Sequence, residues 1–284
     1  MPKSNPNFRS GFVEVDKRKS KLYYEMAGRG STVLVLIHAG FLDNRMWDRQ
    51  FSLFSKKQIQ TVRYDVRGFG KSDRPKEKFS DSEDLKTLLQ QLGLKKVVLL
   101  GVSNGGRIAL DFAVEHPEFL KGLILVNFNV QGYESEGPDE NKLWEEDERL
   151  SSRQVELAKG NKFREAVDAE IKLWAHAVGS TARKKIFEIA LDNSHQILNP
   201  PYKFQVSPDP PAFKRLREIR VPTLIIIGDK DVKGNQVMDM RVHAMIKGSK
   251  LITIKGADHL PNISKPTQFN KMVLNFLKEI RNGE

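Results

Sequence analysis

Short, wholly apolar runs alternate with longer stretches of helical periodicity along the 284-residue chain. Val33–Ile37 is apolar at every position, as expected of a strand buried on both faces. Gln60–Tyr64, Lys95–Leu100, Gly122–Asn127, Val221–Gly228 and Lys250–Ile254 read as further strands. Two strands precede them, Gly11–Val15 and Lys21–Met26, joined by the charged turn Asp16–Ser20 and hence antiparallel. Apolar residues recur at helical spacing over Ser80–Leu92, over Arg107–Glu115 (stopped by His116-Pro117) and over the closing stretch Thr267–Ile280. Strands alternating with helices predict an α/β fold with a doubly wound, mostly parallel sheet.

The alternation lapses between residues 131 and 213. Only helical stretches occur there, Glu140–Leu157, Lys162–Val178 and Thr181–Gln196, and prolines 200, 201, 208, 210 and 211 mark the return to the sheet. Residues 134–150 hold eight acidic side chains against two basic ones, the pattern of a solvated helix face. The division expected is a core of residues 1–130 and 214–284, with 131–213 forming a helical cap after the sixth strand.

Between the strand ending at Leu100 and the helix from Arg107 lies Gly101-Val102-Ser103-Asn104-Gly105-Gly106. This is G-x-S-x-G in a strand–turn–helix setting, which pushes a serine hydroxyl out at the carboxyl end of a strand. Such a serine needs a base, and the base an orienting carboxylate, in the chain order serine, acid, histidine. His259 follows the last strand. Of the other histidines, His38 sits after the first apolar strand, His116 lies behind the elbow helix, and His176, His195 and His243 fall in helical stretches. For the acid, Asp229 and Asp231 share one loop after Val221–Gly228, and spacing leaves both open. The N–H of Asn104 is one expected oxyanion donor, and the second belongs in the loop Ile37–Phe41.

Composition narrows the rest. The chain lacks cysteine, which removes disulfides, thiol nucleophiles and thiolate metal sites. Charged residues make up 29% and hydrophobic ones 39%, a globular balance. The many Lys, Arg and Glu, with no cysteine, also fit a heat-resistant protein. Net charge is +11, yet the basic residues are scattered and carry no nucleic-acid motif. The N-terminal residues show no secretory apolar region and no run is long enough to span a bilayer, so a cytoplasmic protein is expected. No metal or organic cofactor is implied, and a monomer or homodimer is expected.

Together these blocks resemble the α/β-hydrolase fold superfamily, in its cap-bearing serine esterase and lactonase branch. The matching residues are His38-Ala39-Gly40-Phe41 with Met46-Trp47, Asp65-x-Arg67-Gly68-x-Gly70-x-Ser72, the elbow around Ser103, Gly228-x-x-Asp231, and Gly256–His259 before Pro266. The resemblance puts the acid at Asp231 and the second oxyanion donor at Gly40. Two positions depart from the family pattern: Ala39 replaces a common glycine, and Asp258 replaces a small residue, adding a charge expected to raise the pKa of His259. Dehalogenases and epoxide hydrolases of the family attack with aspartate, whereas Ser103 implies acyl transfer. The expected substrate is a small-molecule ester of small to medium apolar groups. Lactone hydrolysis or C–C bond hydrolysis with the same triad is the alternative, and a non-catalytic ligand receptor a further one. Phe41, Trp144 and Trp174 are the aromatic candidates for the substrate pocket, with packing in the helix core the other role for the two tryptophans, and Arg149, Arg153 and Arg164 are the basic ones, with solvent exposure as theirs.

Overall fold

The computed structural model describes residues 7–282; residues 1–6, which bear on the expectation of no secretory apolar region, lie outside the described residues. Eight strands form one sheet: β1 Arg9–Glu14, β2 Lys21–Ala27, β3 Thr32–Ile37, β4 Ile59–Tyr64, β5 Val97–Val102, β6 Leu120–Val126, β7 Thr223–Gly228 and β8 Lys250–Ile254. Their spatial order is β1-β2-β4-β3-β5-β6-β7-β8. β1 pairs antiparallel with β2, and β2 with β4, while every later pairing is parallel. The predicted α/β sheet is therefore present, strand for strand.

Side chains alternate across the sheet, as the period of two requires. Leu34, Leu36, Val98, Leu100, Ile124, Val126, Leu224 and Ile226 bury into one face. Val33, Val35, Val97, Leu99, Leu123, Leu125, Ile225 and Ile227 bury into the other. The first face is covered by α1 Asp48–Phe54 and by α11 Pro266–Asn282. The second is covered by α2 Asp81–Gln91, α3 Asn104–Glu115 and α9 Lys233–Met245. Short helices α8 Ala212–Arg215 and α10 Pro261–Ser264 complete the core.

Between β6 and β7 run α4 Pro138–Lys159, α5 Phe163–Trp174, α6 Ser180–Asp192 and α7 His195–Leu198, with no strand among the described residues. Two expected helices are cut short here. The stretch predicted to reach Val178 ends at Trp174, because Ala175 leaves helical backbone with φ −136°. The stretch predicted as Thr181–Gln196 breaks at Asn193, whose side chain is spent on the core. Its Oδ1 accepts from the Gly70 N–H and its Nδ2 donates to Asp43, at 2.8 and 2.9 Å. The apolar side chains Ala158, Ala166, Val167, Ile171, Ile186 and Ile189 continue the first core face into this insertion.

Candidate active site

Strand register keeps the carboxyl ends level. Ile37 pairs with Gly101, Val102 with Val126 and Gly228 with Ile254. The loops leaving β3, β5, β7 and β8 therefore emerge on one edge, where open α/β sheets bind ligands.

Ser103 follows β5 at once, with φ 55° and ψ −120°. A non-glycine residue held there costs of order 1–3 kcal/mol and persists only when its surroundings dictate it. They do so here: the Ser103 N–H donates to the Val126 carbonyl at 3.0 Å, and the Ser103 carbonyl accepts from Gly106 and Arg107 of α3 at 2.9 and 3.1 Å. A Cβ on Gly105 would collide with the Ile37 carbonyl, so that glycine lets α3 press onto the end of β3.

His259 and Asp231 meet by a two-oxygen contact. Nδ1 of His259 lies 2.9 Å from Oδ1 and 3.0 Å from Oδ2 of Asp231, with both side chains buried. Asp231 Oδ1 also accepts from the Val232 N–H at 2.8 Å. The carboxylate thus fixes the imidazole tautomer with its proton on Nδ1 and leaves Nε2 free to accept one. The competing Asp229 is occupied elsewhere, accepting from the Gly256 N–H at 2.6 Å. His38 is committed as well: its Nε2 accepts from the Val66 N–H at 2.9 Å, and Nδ1 lies 2.8 Å from the Ala39 carbonyl.

Ser103 and His259 open into one cavity of about 320 Å³, together with Gly40, Asn104, Phe41 and Trp174. A Cβ on Gly40 would stand 3.2 Å from Cβ of Asn104, so the two backbone segments carrying the candidate oxyanion donors adjoin. The Trp174 ring packs against the His259 imidazole, centroids 4.6 Å apart and tilted by 45°. Trp144 is not in this cavity. It lies against Gly234 of α9 and packs edge-on to Tyr133. The insertion's arginines are also elsewhere: Arg153 and Arg164 line a wider outer groove of about 1010 Å³, and Arg149 is exposed on α4.

Two guanidinium groups do reach the cavity, and both are engaged. Arg107 donates to Asn104, Asp111 and Asp81 at 2.8, 2.8 and 2.5 Å. Arg67 donates to both oxygens of Asp84 and to Asp16 at 2.7–2.8 Å. Burial nevertheless lifts the Asp84 carboxyl to about 6 and that of Asp111 to about 7.

Several contributors carried no sequence signal. Asn127, at the end of β6, donates to the Asp258 carbonyl and accepts from the Gly228 N–H, both at 2.9 Å. It therefore ties the acid loop to the histidine loop. Asn235 of α9 reaches Asp231 Oδ2 at 3.4 Å. One turn further, Asp239 is fully buried, and burial with the nearby Asp231 charge pushes its carboxyl well above the usual range. Glu170 of α5 lines the cavity at 8% exposure, and burial lifts it to about 7. Asp258 spends both carboxylate oxygens on backbone N–H groups, Oδ2 on Ala177 at 2.7 Å and Oδ1 on Leu260 at 3.1 Å. The expectation of a charge turned on His259 overlooked these partners.

Among the described residues, no group of three or more His, Asp or Glu side chains is placed to hold a metal ion. No helix among them is long and apolar enough to cross a membrane.

Known proteins carry the same architecture. The chain is 27% identical over 274 residues to a putative 2-succinyl-6-hydroxy-2,4-cyclohexadiene-1-carboxylate synthase of Bacillus subtilis (strain 168), covering 90% of this chain and 95% of that one. A bromoperoxidase from Bacillus anthracis superposes with a TM-score of 0.77 at 26% identity, over 95% of this chain and all of that one. An esterase from Exiguobacterium antarcticum superposes with 0.78 at 22% identity, again over 95% of this chain and all of that one. The profile of the alpha/beta hydrolase fold matches residues 32–266. This chain belongs to the alpha/beta hydrolase fold family.

Proposed function

We propose that the protein is a serine hydrolase that cleaves carboxylic esters of small to medium apolar groups through an acyl-enzyme on Ser103. Relatives of this fold bear names from several chemistries, so the choice among them rests on the site. The observation that carries the reading is the buried, two-oxygen contact between Asp231 and His259 beside a serine held at positive φ in the same cavity.

Ser103 Oγ bonds to the ester carbonyl carbon while Nε2 of His259 takes its proton. The N–H groups of Gly40 and Asn104 receive the developing oxyanion. Collapse breaks the bond to the alkoxy oxygen, and the alcohol leaves with the proton from His259. Water then attacks the acyl carbon, gives its proton to His259, and the acid departs as Ser103 Oγ recovers that proton. Asp231 holds the imidazole throughout and supports its positive charge. Residues 131–213 close over the cavity as a cap, contributing Trp174 and Glu170 to its wall.

An apolar ester is favoured over a carboxylate-bearing ketone because the cavity's guanidinium groups, on Arg67 and Arg107, are already bound by acidic side chains. Hydrolysis of p-nitrophenyl butyrate, parallel assays of a lactone and of a carboxylate-bearing dienone, and the Ser103→Ala variant test the reading. Turnover of the butyrate falling by about 10⁴-fold or more in the variant is expected. Binding without turnover by the unaltered protein would identify a receptor instead.

A further inference from the structure

The helical insertion touches the histidine loop at two consecutive positions. His259 packs under Trp174. Its predecessor, Asp258, accepts the N–H of Ala177, three residues beyond Trp174. Between them the chain turns sharply: the Ala175 N–H closes the last turn of α5 on Ile171, and the Val178 N–H reaches back to Ala175. Trp174 thus sits at the mouth of a turn whose far side is bound to the loop bearing the base.

Asp258 is fully buried, yet no basic side chain among the described residues pairs with it. A carboxylate withdrawn from water needs hydrogen bonds to its charge, and each such bond is stronger than a neutral one. One of its oxygens steadies its own loop through Leu260, and the other is spent across the boundary on Ala177. The acyl-transfer chemistry requires nothing of this position beyond a backbone. The carboxylate's distinctive contact is with the insertion.

We propose that Asp258 is a positioning residue that pins the turn after α5, and with it the Trp174 ring, against the catalytic histidine loop. It rests on the serine-hydrolase reading for its consequence in kinetics, though not for its geometry. Trp174 is a wall of the 320 Å³ cavity, so the pin sets how closely substrate is enclosed. Its loss acts on substrate binding before it acts on the chemical step.

The test compares Asp258→Ala, Trp174→Leu and the double variant on p-nitrophenyl acetate and hexanoate, with hydrogen exchange followed at the Ala177 amide. Asp258→Ala should raise KM about tenfold, the factor expected from losing one charge-assisted bond. Its kcat should stay within about threefold and its pH–rate profile should not move. In the Trp174→Leu background the same change should shift KM by less than about twofold, since residues acting through one another do not add. Exchange at Ala177 should quicken about tenfold or more. Should Asp258→Ala fail to fold, Asp258→Asn keeps the shape with one acceptor oxygen and should show the same directions at smaller size. Unchanged exchange, a KM effect that adds in full to that of Trp174→Leu, or a displaced pH–rate limb overturns the proposal. If the unaltered protein turns over no ester, the hydrolase reading fails while the exchange experiment still judges the pin.

Discussion

Asp231 holds His259 with both carboxylate oxygens, at 2.9 and 3.0 Å from a single ring nitrogen. That contact keeps the ring proton on Nδ1. Asp231→Asn presents an amide in place of one oxygen and favours the wrong tautomer. We expect kcat on p-nitrophenyl butyrate to fall about 10⁴-fold with little change in KM, measured by steady-state kinetics.

Asn127 joins the loops that carry Asp231 and His259 through backbone groups, the Gly228 N–H and the Asp258 carbonyl. Asn127→Ala leaves the Gly228 N–H and the Asp258 carbonyl without this partner in a buried setting. A stability loss of about 1–3 kcal/mol is expected by chemical denaturation. Because both loops shift, kcat should fall by about tenfold or more even at temperatures where the variant is fully folded.

Glu170 makes stability depend on pH. Burial raises its carboxyl from 4.5 to about 7 in the folded protein. Between those values the folded chain keeps a proton that the unfolded chain has released, so this residue's contribution to stability declines as pH rises through that window. Glu170→Gln removes the decline. The variant should gain on the unaltered protein by on the order of 3 kcal/mol between pH 4 and pH 8, read from denaturant midpoints at both.

Arg107 is clamped by Asp81 and Asp111, and all three are buried. Removing the cation leaves two acidic groups facing one another without it. Arg107→Met should cost about 3–5 kcal/mol. Calorimetry should show a clear fall in Tm, smaller below pH 6, where Asp111 is protonated in any case.

Much of this molecule could be read from its sequence, and the exceptions share a cause. Strands β3, β5, β6 and β7 announce themselves because burial on both faces fills their centres with unbroken apolar runs, as at Leu224–Ile227. Order along the chain singled out Ser103, His259 and one loop with two acids, Asp229 and Asp231, as candidates because each lies just beyond a strand end; the family resemblance chose Asp231, and the structure sets it against His259. Helix α9 was legible only as a helical setting for His243, without bounds, because it buries Asn235 and Asp239 beside Met238 and Val242, which erases the apolar stripe. Residue type alone left Trp144 between pocket and helix core, and only its packing against Gly234 shows where it belongs. Asp258 stood out as unusual, but its partner Ala177 lies 81 residues away and contributes only a backbone N–H. No side-chain pattern can advertise such a partner.

The backbone at Ser103 carries a further implication. A residue at φ 55° is held in a shape that glycine would adopt without penalty. Ser103→Gly relieves that strain and deletes the only hydroxyl the proposed chemistry uses. Random change at this position therefore has a downhill direction in folding, and it leads away from activity. A serine here stands against the fold's own preference, which makes stability and the proposed chemistry rivals for one residue.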